Sequence, residues 1–203
     1  ARVTDFDAEA GTATLADGER LAYDFGVLCL GTDPAFYDLH GVAEHALTLH
    51  RPVDPGAVRS AFLETIDAEG QVVVGGGGLT GVQVAGELAA LAAEQDALDH
   101  VDIRLLEQAG AVPPNYDERF QAAVEDALAA NGVRVETGVT VTGATETHVQ
   151  TDGGAIDYDT FVWTGGITGV SALDEVRPTV RPTLRLTDRT FALGDAVRVV
   201  DAD

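Results

Sequence analysis

The ten residues VVVGGGGLTG, Val72 to Gly81, carry the clearest chemical pattern in the chain: Gly76-x-Gly78-x-x-Gly81. Glycines at this spacing bring bare backbone against a pyrophosphate. Gly76 permits a tight turn, Gly78 lets the main chain approach the anion, and Gly81 lets the following helix pack close to the strand. N–H groups at the start of that helix, at the positive end of its dipole, then hold the anion without any lysine or arginine. The spacing alone is a weak signal, and its weight comes from its context. An apolar run, QVVVG (71–75), precedes it, the helical segment GVQVAGELAALAAEQ follows, and Glu107 ends the next strand, VDIRLLE (101–107). A carboxylate in that place accepts hydrogen bonds from adenosine ribose hydroxyls and repels a 2′-phosphate. The expected ligand is therefore NADH rather than NADPH.

No other constellation stands out. His40, His45 and His50 fall five apart, a spacing that suits no metal site, and read as solvated loop histidines. His100 and His148 read as surface positions and Trp163 as core. No serine–histidine or paired-carboxylate arrangement emerges, so no residue is assigned as catalytic and no metal is expected. The single cysteine, Cys29, lies in the apolar run VLCL, which excludes an internal disulfide or a dithiol and predicts a buried small hydrophobe.

The elements that must position the glycine turn follow from punctuation and period. Short β-like runs open the chain: RVTDFD, TATLADG and YDFGVLCLG. Residues 33–55, with Pro34, Pro52 and Pro55, read as an irregular connection. DPGAVRSAFLETIDAEG predicts a helix capped by Asp54, with Pro55 in its first turn and Gly70 at its end. After Glu107, YDERFQAAVEDALAANG predicts an amphipathic helix closed by Asn131-Gly132, and VRVETGVTVTG returns to strand. Strands alternating with helices imply an α/β fold, with a parallel sheet covered on both faces.

One segment is written twice. ADGERLAYDFGVLCLGT (16–32) and TDGGAIDYDTFVWTGG (151–166) align at an offset of 135 positions. Asp17, Gly18, Tyr23, Asp24, Val27 and Gly31 meet Asp152, Gly153, Tyr158, Asp159, Val162 and Gly166 without a gap. Each copy predicts a hairpin turned at Asp-Gly that feeds a buried strand ending at glycine.

Charge narrows the setting. The chain of 203 residues carries 34 acidic residues against 12 basic ones, a net charge of −22, and every basic residue is arginine. That balance excludes nucleic acid as a partner, because nothing can displace the counterions of a phosphate backbone. It also implies self-repulsion that is nearly silenced at about 1 M salt, where the Debye length is about 3 Å. The expected location is the cytoplasm of a high-salt organism. No run of eighteen apolar residues and no basic-then-apolar leader occurs, so neither a membrane span nor a signal peptide is expected.

The doubled segment with a dinucleotide fold between its copies resembles the pyridine nucleotide-disulfide oxidoreductase superfamily, flavoproteins with two dinucleotide-binding domains. YDFGVLCLGT is similar to the strand closing the first part of the FAD domain, VVVGGGGLTGVQVAGEL to the NADH fingerprint, and YDTFVWTGG to the strand near the nicotinamide. TFALGDAV (190–197) is similar to the late FAD motif, whose aspartate contacts the flavin ribitol. The best match within the superfamily is type II NADH dehydrogenase, which passes electrons from NADH through FAD to quinone. The resemblance implies that Gly76, Gly78, Leu79, Thr80 and Gly81 hold the pyrophosphate and Glu107 the ribose. Gln83, Gly165 and Gly166 lie toward the nicotinamide, and Gly194 and Asp195 toward FAD. Gln83 replaces the glutamate usual in the family, which keeps hydrogen bonding and loses charge.

The implied layout is a Rossmann-like NAD(H)-binding domain with a parallel sheet and a β-hairpin or meander insertion, flanked by strands of an incomplete FAD domain. Its expected limits are 1–31 for the FAD-domain tail, 32–53 for a connection, 54–170 for the NAD domain and 171–203 for the return to the FAD domain. The first FAD glycine motif and the quinone-facing, membrane-associating C-terminal part are not in this sequence. The chain therefore reads as the middle of a longer flavoenzyme, inactive by itself and binding NAD(H) but not FAD, with the parent peripheral to a membrane. Three alternatives stay open: another flavoprotein reductase, of sulfide–quinone or ferredoxin type; a stand-alone NAD-binding sensor; and a domain that binds nothing.

Overall fold

The computed structural model describes residues 1–50 and 54–200; residues 51–53, in the expected connection and including Pro52, and 201–203 lie outside the described residues. The chain divides into two compact units, Ala1–Ala35 with Ile167–Asp203, and Phe36–Gly166. Sequence had put the limits of the inserted domain at 53/54 and 170/171.

The smaller unit begins with an antiparallel meander of β1 (Val3–Asp7), β2 (Thr12–Leu15) and β3 (Arg20–Ala22). Its second turn runs through Asp17-Gly18, where Gly18 takes φ +87°. Then come β4 (Gly26–Leu28) and the short β5 (Asp33–Pro34).

The larger unit opens with α1 (Val42–His45), which takes up His45 from the supposed loop, and α2 (Asp54–Asp67). On α2, Val58, Phe62, Thr65 and Ile66 recur at helical spacing and are buried. There follow β6 (Gln71–Gly75), α3 (Leu79–Glu94), β7 (Asp102–Glu107), α4 (Glu118–Ala130) and β8 (Val133–Thr137). A second meander, β9 (Val141–Ala144), β10 (His148–Thr151) and β11 (Gly154–Asp157), leads into β12 (Thr160–Trp163). Strands β12, β6, β7 and β8 form one parallel sheet in that order.

Strand alternation divides the core of this unit. Val72, Val74, Ile103, Leu105 and Val162 pack under α2, α3 and α4, while Val73, Leu106, Phe161 and Trp163 face the meander and α1. The sheet is thus covered on both faces, by helices on one and by the meander with α1 on the other. Residues 36–50 contribute to this packing rather than merely connecting. The Leu47 N–H donates to the Phe161 carbonyl, and the Trp163 N–H donates to the Leu47 carbonyl, each at 2.8 Å.

The chain returns to the smaller unit with β13 (Ile167–Thr168), antiparallel to β5, and β14 (Thr179–Val180), which runs parallel to a final strand at Arg198–Val199. Between them β15 (Thr190–Ala192) lies parallel to β4. The doubled segment is now explained: β1–β4 and β9–β12 are the same motif, a three-stranded meander feeding a strand that pairs in parallel. The repeated tyrosines brace it. The Tyr23 hydroxyl is 2.9 Å from Thr190 Oγ1, and the Tyr158 hydroxyl donates to the Thr145 carbonyl at 2.6 Å.

Four local expectations need correction. Cys29 is exposed, because Leu28 takes the inward position and its neighbours point to the other face. For the same reason β4 is not the fully buried strand its apolar composition suggested; Val27 is 62% exposed. At the end of α2 the left-handed residue is Glu69 (φ +52°), not Gly70. Gly70 has a packing role instead, since a Cβ there would overlap Asp159 Oδ2. VRVETGVTVTG is two strands, β8 in the parallel sheet and β9 in the meander, broken at Gly138 (φ +69°).

Candidate functional site

The glycine turn sits at the carboxyl ends of the parallel strands, where ligands bind in open α/β sheets. Gly76 takes φ +108°, a conformation that disfavours any side chain, and its N–H donates to the Leu106 carbonyl at 2.8 Å. A Cβ on Gly76 would lie 2.6 Å from Gly165 Cα, so the turn after β6 and the turn after β12 touch through bare backbone. At Gly81 a Cβ would overlap the Gly76 carbonyl oxygen, which is why α3 can start directly under the turn.

Gly78 differs from both. It is the N-cap of α3, makes no side-chain cap, and a Cβ placed on it meets nothing within 4 Å. The space beside it is open. The N–H groups of Leu79, Thr80 and Gly81 lack an intrahelical carbonyl, as in the first turn of any α-helix. In a chain with 34 acidic residues, the first turn of α3 carries none. An anion is the natural complement of such an end.

Glu107 is only 7% exposed and faces this turn. Its Oε2 accepts the Gly77 N–H at 2.7 Å, and its Oε1 accepts the Ala109 N–H at 2.7 Å. A carboxylate has about four lone-pair sites, so each oxygen keeps one for a further donor such as a ribose hydroxyl. A cavity of about 340 Å³ adjoins it, lined by Gly76, Glu107, Gln108, Thr140, Trp163 and Gly165 among others.

Gly165 and Gly166 follow β12, Gly165 lines this cavity, and the Tyr37 hydroxyl approaches the Gly165 carbonyl at 3.4 Å. Gln83, with Thr80, Val58 and Leu88, lines a second groove of about 440 Å³ between α2 and α3. Gly194 and Asp195 belong to the smaller unit, in the short turn after β15. There the Arg177 guanidinium donates to the Asp195 carbonyl at 2.7 Å and the Val197 carbonyl at 2.9 Å, while the Asp195 side chain is exposed. Among the described residues no group of three or more His, Cys, Asp or Glu is placed to hold a metal.

Sequence reasoning missed Thr164. Its Oγ1 donates to the Gly76 carbonyl at 2.8 Å and lies 3.1 Å from the Gly75 carbonyl. Nothing local signals this, because the partners are 88 residues apart. Nearby, on the sheet, Arg104 makes a fork to Glu136 at 2.7 and 2.8 Å. Hydrogen bonding to Glu136 raises the Arg104 pKa above its ordinary value, against the opposing effect of burial.

A parallel sheet, a glycine turn at its carboxyl end and an acid closing the next strand define a dinucleotide-fold protein of the α/β class. The chain belongs to the pyridine nucleotide-disulphide oxidoreductase family, whose pattern matches residues 1–198. It is 25% identical over 165 residues to the NADH dehydrogenase-like protein YutJ of Bacillus subtilis, covering 81% of this chain and 44% of that protein. It is 31% identical over 196 residues to the NADH dehydrogenase-like protein Rv1812c of Mycobacterium tuberculosis, covering 91% and 48%. The chain thus spans about half the length of these relatives. The fold is that of NDH2 from Plasmodium falciparum, solved in complex with NADH, with a TM-score of 0.82 at 18% identity over 98% of this chain and 50% of that one. No helix among the described residues is long and apolar enough to cross a membrane.

Proposed function

We propose that this chain is the NADH-binding portion of an FAD-dependent NADH dehydrogenase. The redox chemistry is that of the cofactors: hydride passes from nicotinamide to flavin, and electrons go on to a quinone. The chain's own residues bind and orient. In this reading Gly76, Gly78, Leu79, Thr80 and Gly81 hold the pyrophosphate, with the N–H groups that begin α3 as donors, and Glu107 holds the adenosine ribose. Gln83, Gly165 and Gly166 lie on the nicotinamide side, and Gly194 and Asp195 serve the flavin. Residues 54–170 are assigned to NAD(H), and 1–31 and 171–203 to an FAD-binding domain joined through 32–53. The setting is a salt-rich cytoplasm, with the parent enzyme peripheral to the membrane.

The observation that carries this reading is the open, acid-free start of α3 beside Gly78, with Glu107 fixed next to it. Names borne by the relatives, NADH dehydrogenase-like and in complex with NADH, support the choice of nucleotide.

Calorimetric titration of the chain with NADH, NADPH and FAD in 2 M KCl, repeated on Gly78→Ala, tests it. A methyl at Gly78 meets no protein atom, so the melting temperature should hold while NADH affinity falls about tenfold or more. NADH should bind at least about tenfold tighter than NADPH. Equal NADH affinity in wild type and Gly78→Ala would remove the pyrophosphate from this turn.

A further inference from the structure

Gly76 C=O and Gly77 N–H belong to one peptide group, and the structure holds that group at both poles. From the end of β12, the Thr164 hydroxyl donates to its oxygen at 2.8 Å. From the end of β7, Glu107 Oε2 accepts its N–H at 2.7 Å. The Glu107 carboxylate is tied in turn to the Ala109 N–H at 2.7 Å. A single line of hydrogen bonds therefore crosses the ends of β12, β6 and β7. Donor leads to acceptor in the same sense from Thr164 through the peptide to Glu107, so each bond polarises the next.

The orientation of this peptide matters because Gly76 is at φ +108°. A glycine has no side chain to restrict it, and an unclamped Gly76–Gly77 plane could rotate. Rotation would swing the Gly77 N–H out of the Glu107 carboxylate and move the chain that enters α3. With the plane held, the Gly77 N–H is committed to Glu107, and the free donors facing the open space are those that begin α3. Thr164 packs at the same point: a Cβ on Gly81 would lie 2.8 Å from its Oγ1.

We propose that Thr164 is a positioning residue of the nucleotide turn. With Glu107 it fixes the Gly76–Gly77 peptide and so presets the start of α3 for a diphosphate. Its ligand half rests on the NADH reading above; the clamp itself does not. Valine is the informative substitution, because it keeps the shape and removes the hydroxyl. The Gly75 carbonyl keeps the Thr164 backbone N–H as donor at 2.8 Å, so the loss falls on Gly76.

The test is amide hydrogen exchange by NMR on the ¹⁵N-labelled chain, with NADH titration alongside, for wild type, Thr164→Val and Thr164→Ser. In Thr164→Val, Gly77 should exchange about tenfold faster, the scale of one buried hydrogen bond, while Val73 and Val74 change less than about twofold. NADH affinity should fall by about tenfold in Thr164→Val, and Thr164→Ser should restore both readouts to within about twofold. Unchanged Gly77 exchange in Thr164→Val would overturn the clamp. An equal rise at Val73, Val74 and Gly77 would overturn it as well, by reducing Thr164 to a general stabiliser. Local acceleration with unchanged NADH affinity would overturn the positioning role. If the wild-type chain bound no NADH, the cofactor reading would fail instead, and exchange at Gly77 would still judge the clamp.

Discussion

Replacing Glu107 by glutamine perturbs the site most selectively, because it keeps the volume and changes one atom and one charge. Glu107 is 7% exposed, and its carboxylate accepts two backbone N–H groups at 2.7 Å, one on each oxygen. A glutamine amide has one acceptor oxygen, so one of the two N–H groups must face an NH₂. A buried donor left without an acceptor costs about 1–3 kcal/mol, and the remaining bond, no longer charge-assisted, weakens by about another 1 kcal/mol. The expected loss is about 2–4 kcal/mol, large against the ~5–15 kcal/mol that holds an ordinary domain together. Urea unfolding in 2 M KCl measures it, followed by the fluorescence of Trp163, the only tryptophan, which is buried in the unit that contains Glu107. The midpoint should fall with the slope unchanged. A shift worth less than about 0.5 kcal/mol would refute the argument that these bonds organise the turn. Nucleotide binding provides a second check: Glu107→Gln should weaken NADH and erase the preference over NADPH, which depends on the charge. A variant that loses stability yet keeps that preference would show that Glu107 serves the turn and not the ribose.

Two further outcomes follow from charge. Burial, with a smaller contribution from Glu146, raises the Tyr158 pKa above its ordinary value near 10. A raised pKa gives stability that is fully present below pH 10 and is lost as pH climbs through the folded value. Stability should therefore decline above about pH 10, and less steeply in Tyr158→Phe. At pH 8 that variant should lose about 0.5–1.5 kcal/mol with its bond to the Thr145 carbonyl. Urea titrations at pH 8 and 10.5 check both, and identical alkaline slopes would count against the assignment. A net charge of −22 makes the fold salt-dependent. Raising KCl from about 0.1 to 1 M shortens the Debye length from about 10 to 3 Å. The melting temperature should rise by about 2–4 °C for each kcal/mol of repulsion relieved and then level off. A flat thermal curve would mean that self-repulsion is not a significant term.

Where local pattern carries the information, the fold was legible. QVVVG, LTGVQVAGELAALAAE and DIRLLE became β6, α3 and β7 because apolar period and glycine punctuation agree there. The doubled segment likewise became two meanders of the same design. Where a tertiary neighbour decides, sequence misled or stayed silent. Gly70 looked like a helix stop and instead packs against Asp159, whose Oδ2 a Cβ there would meet. Residues 36–50 looked irregular for want of periodicity, yet Leu47 extends the hydrogen bonding of β12 on its open side. Cys29 and Val27 looked buried because apolar runs in parallel strands usually are, while in β4 only the face with Leu28 is covered. Thr164 had no local signature, since its value depends on where Gly76 arrives.

The composition also gives a reason for the proposed anion site to be built from backbone. A chain that carries 34 acidic residues, no lysine and only 12 arginines makes a poor electrostatic trap for a phosphate. A basic side chain near the glycine turn would also be drawn to surrounding carboxylates, as Arg104 is to Glu136 and Arg134 to Asp102. Backbone N–H groups escape that competition, because they cannot swing away once the peptide planes are fixed. The requirement passes from charge to geometry: the turn must be held still, and no acid may enter the first turn of α3. Both conditions are met here, the first by Thr164 and Glu107 gripping one peptide and the second by Leu79, Thr80 and Gly81. Glu107 is an acid beside the turn, and its two oxygens are directed by N–H groups of Gly77 and Ala109. On the proposed reading a chain with 34 acidic residues can hold an anion through backbone alone, because short-range hydrogen bonds survive the salt that screens long-range repulsion.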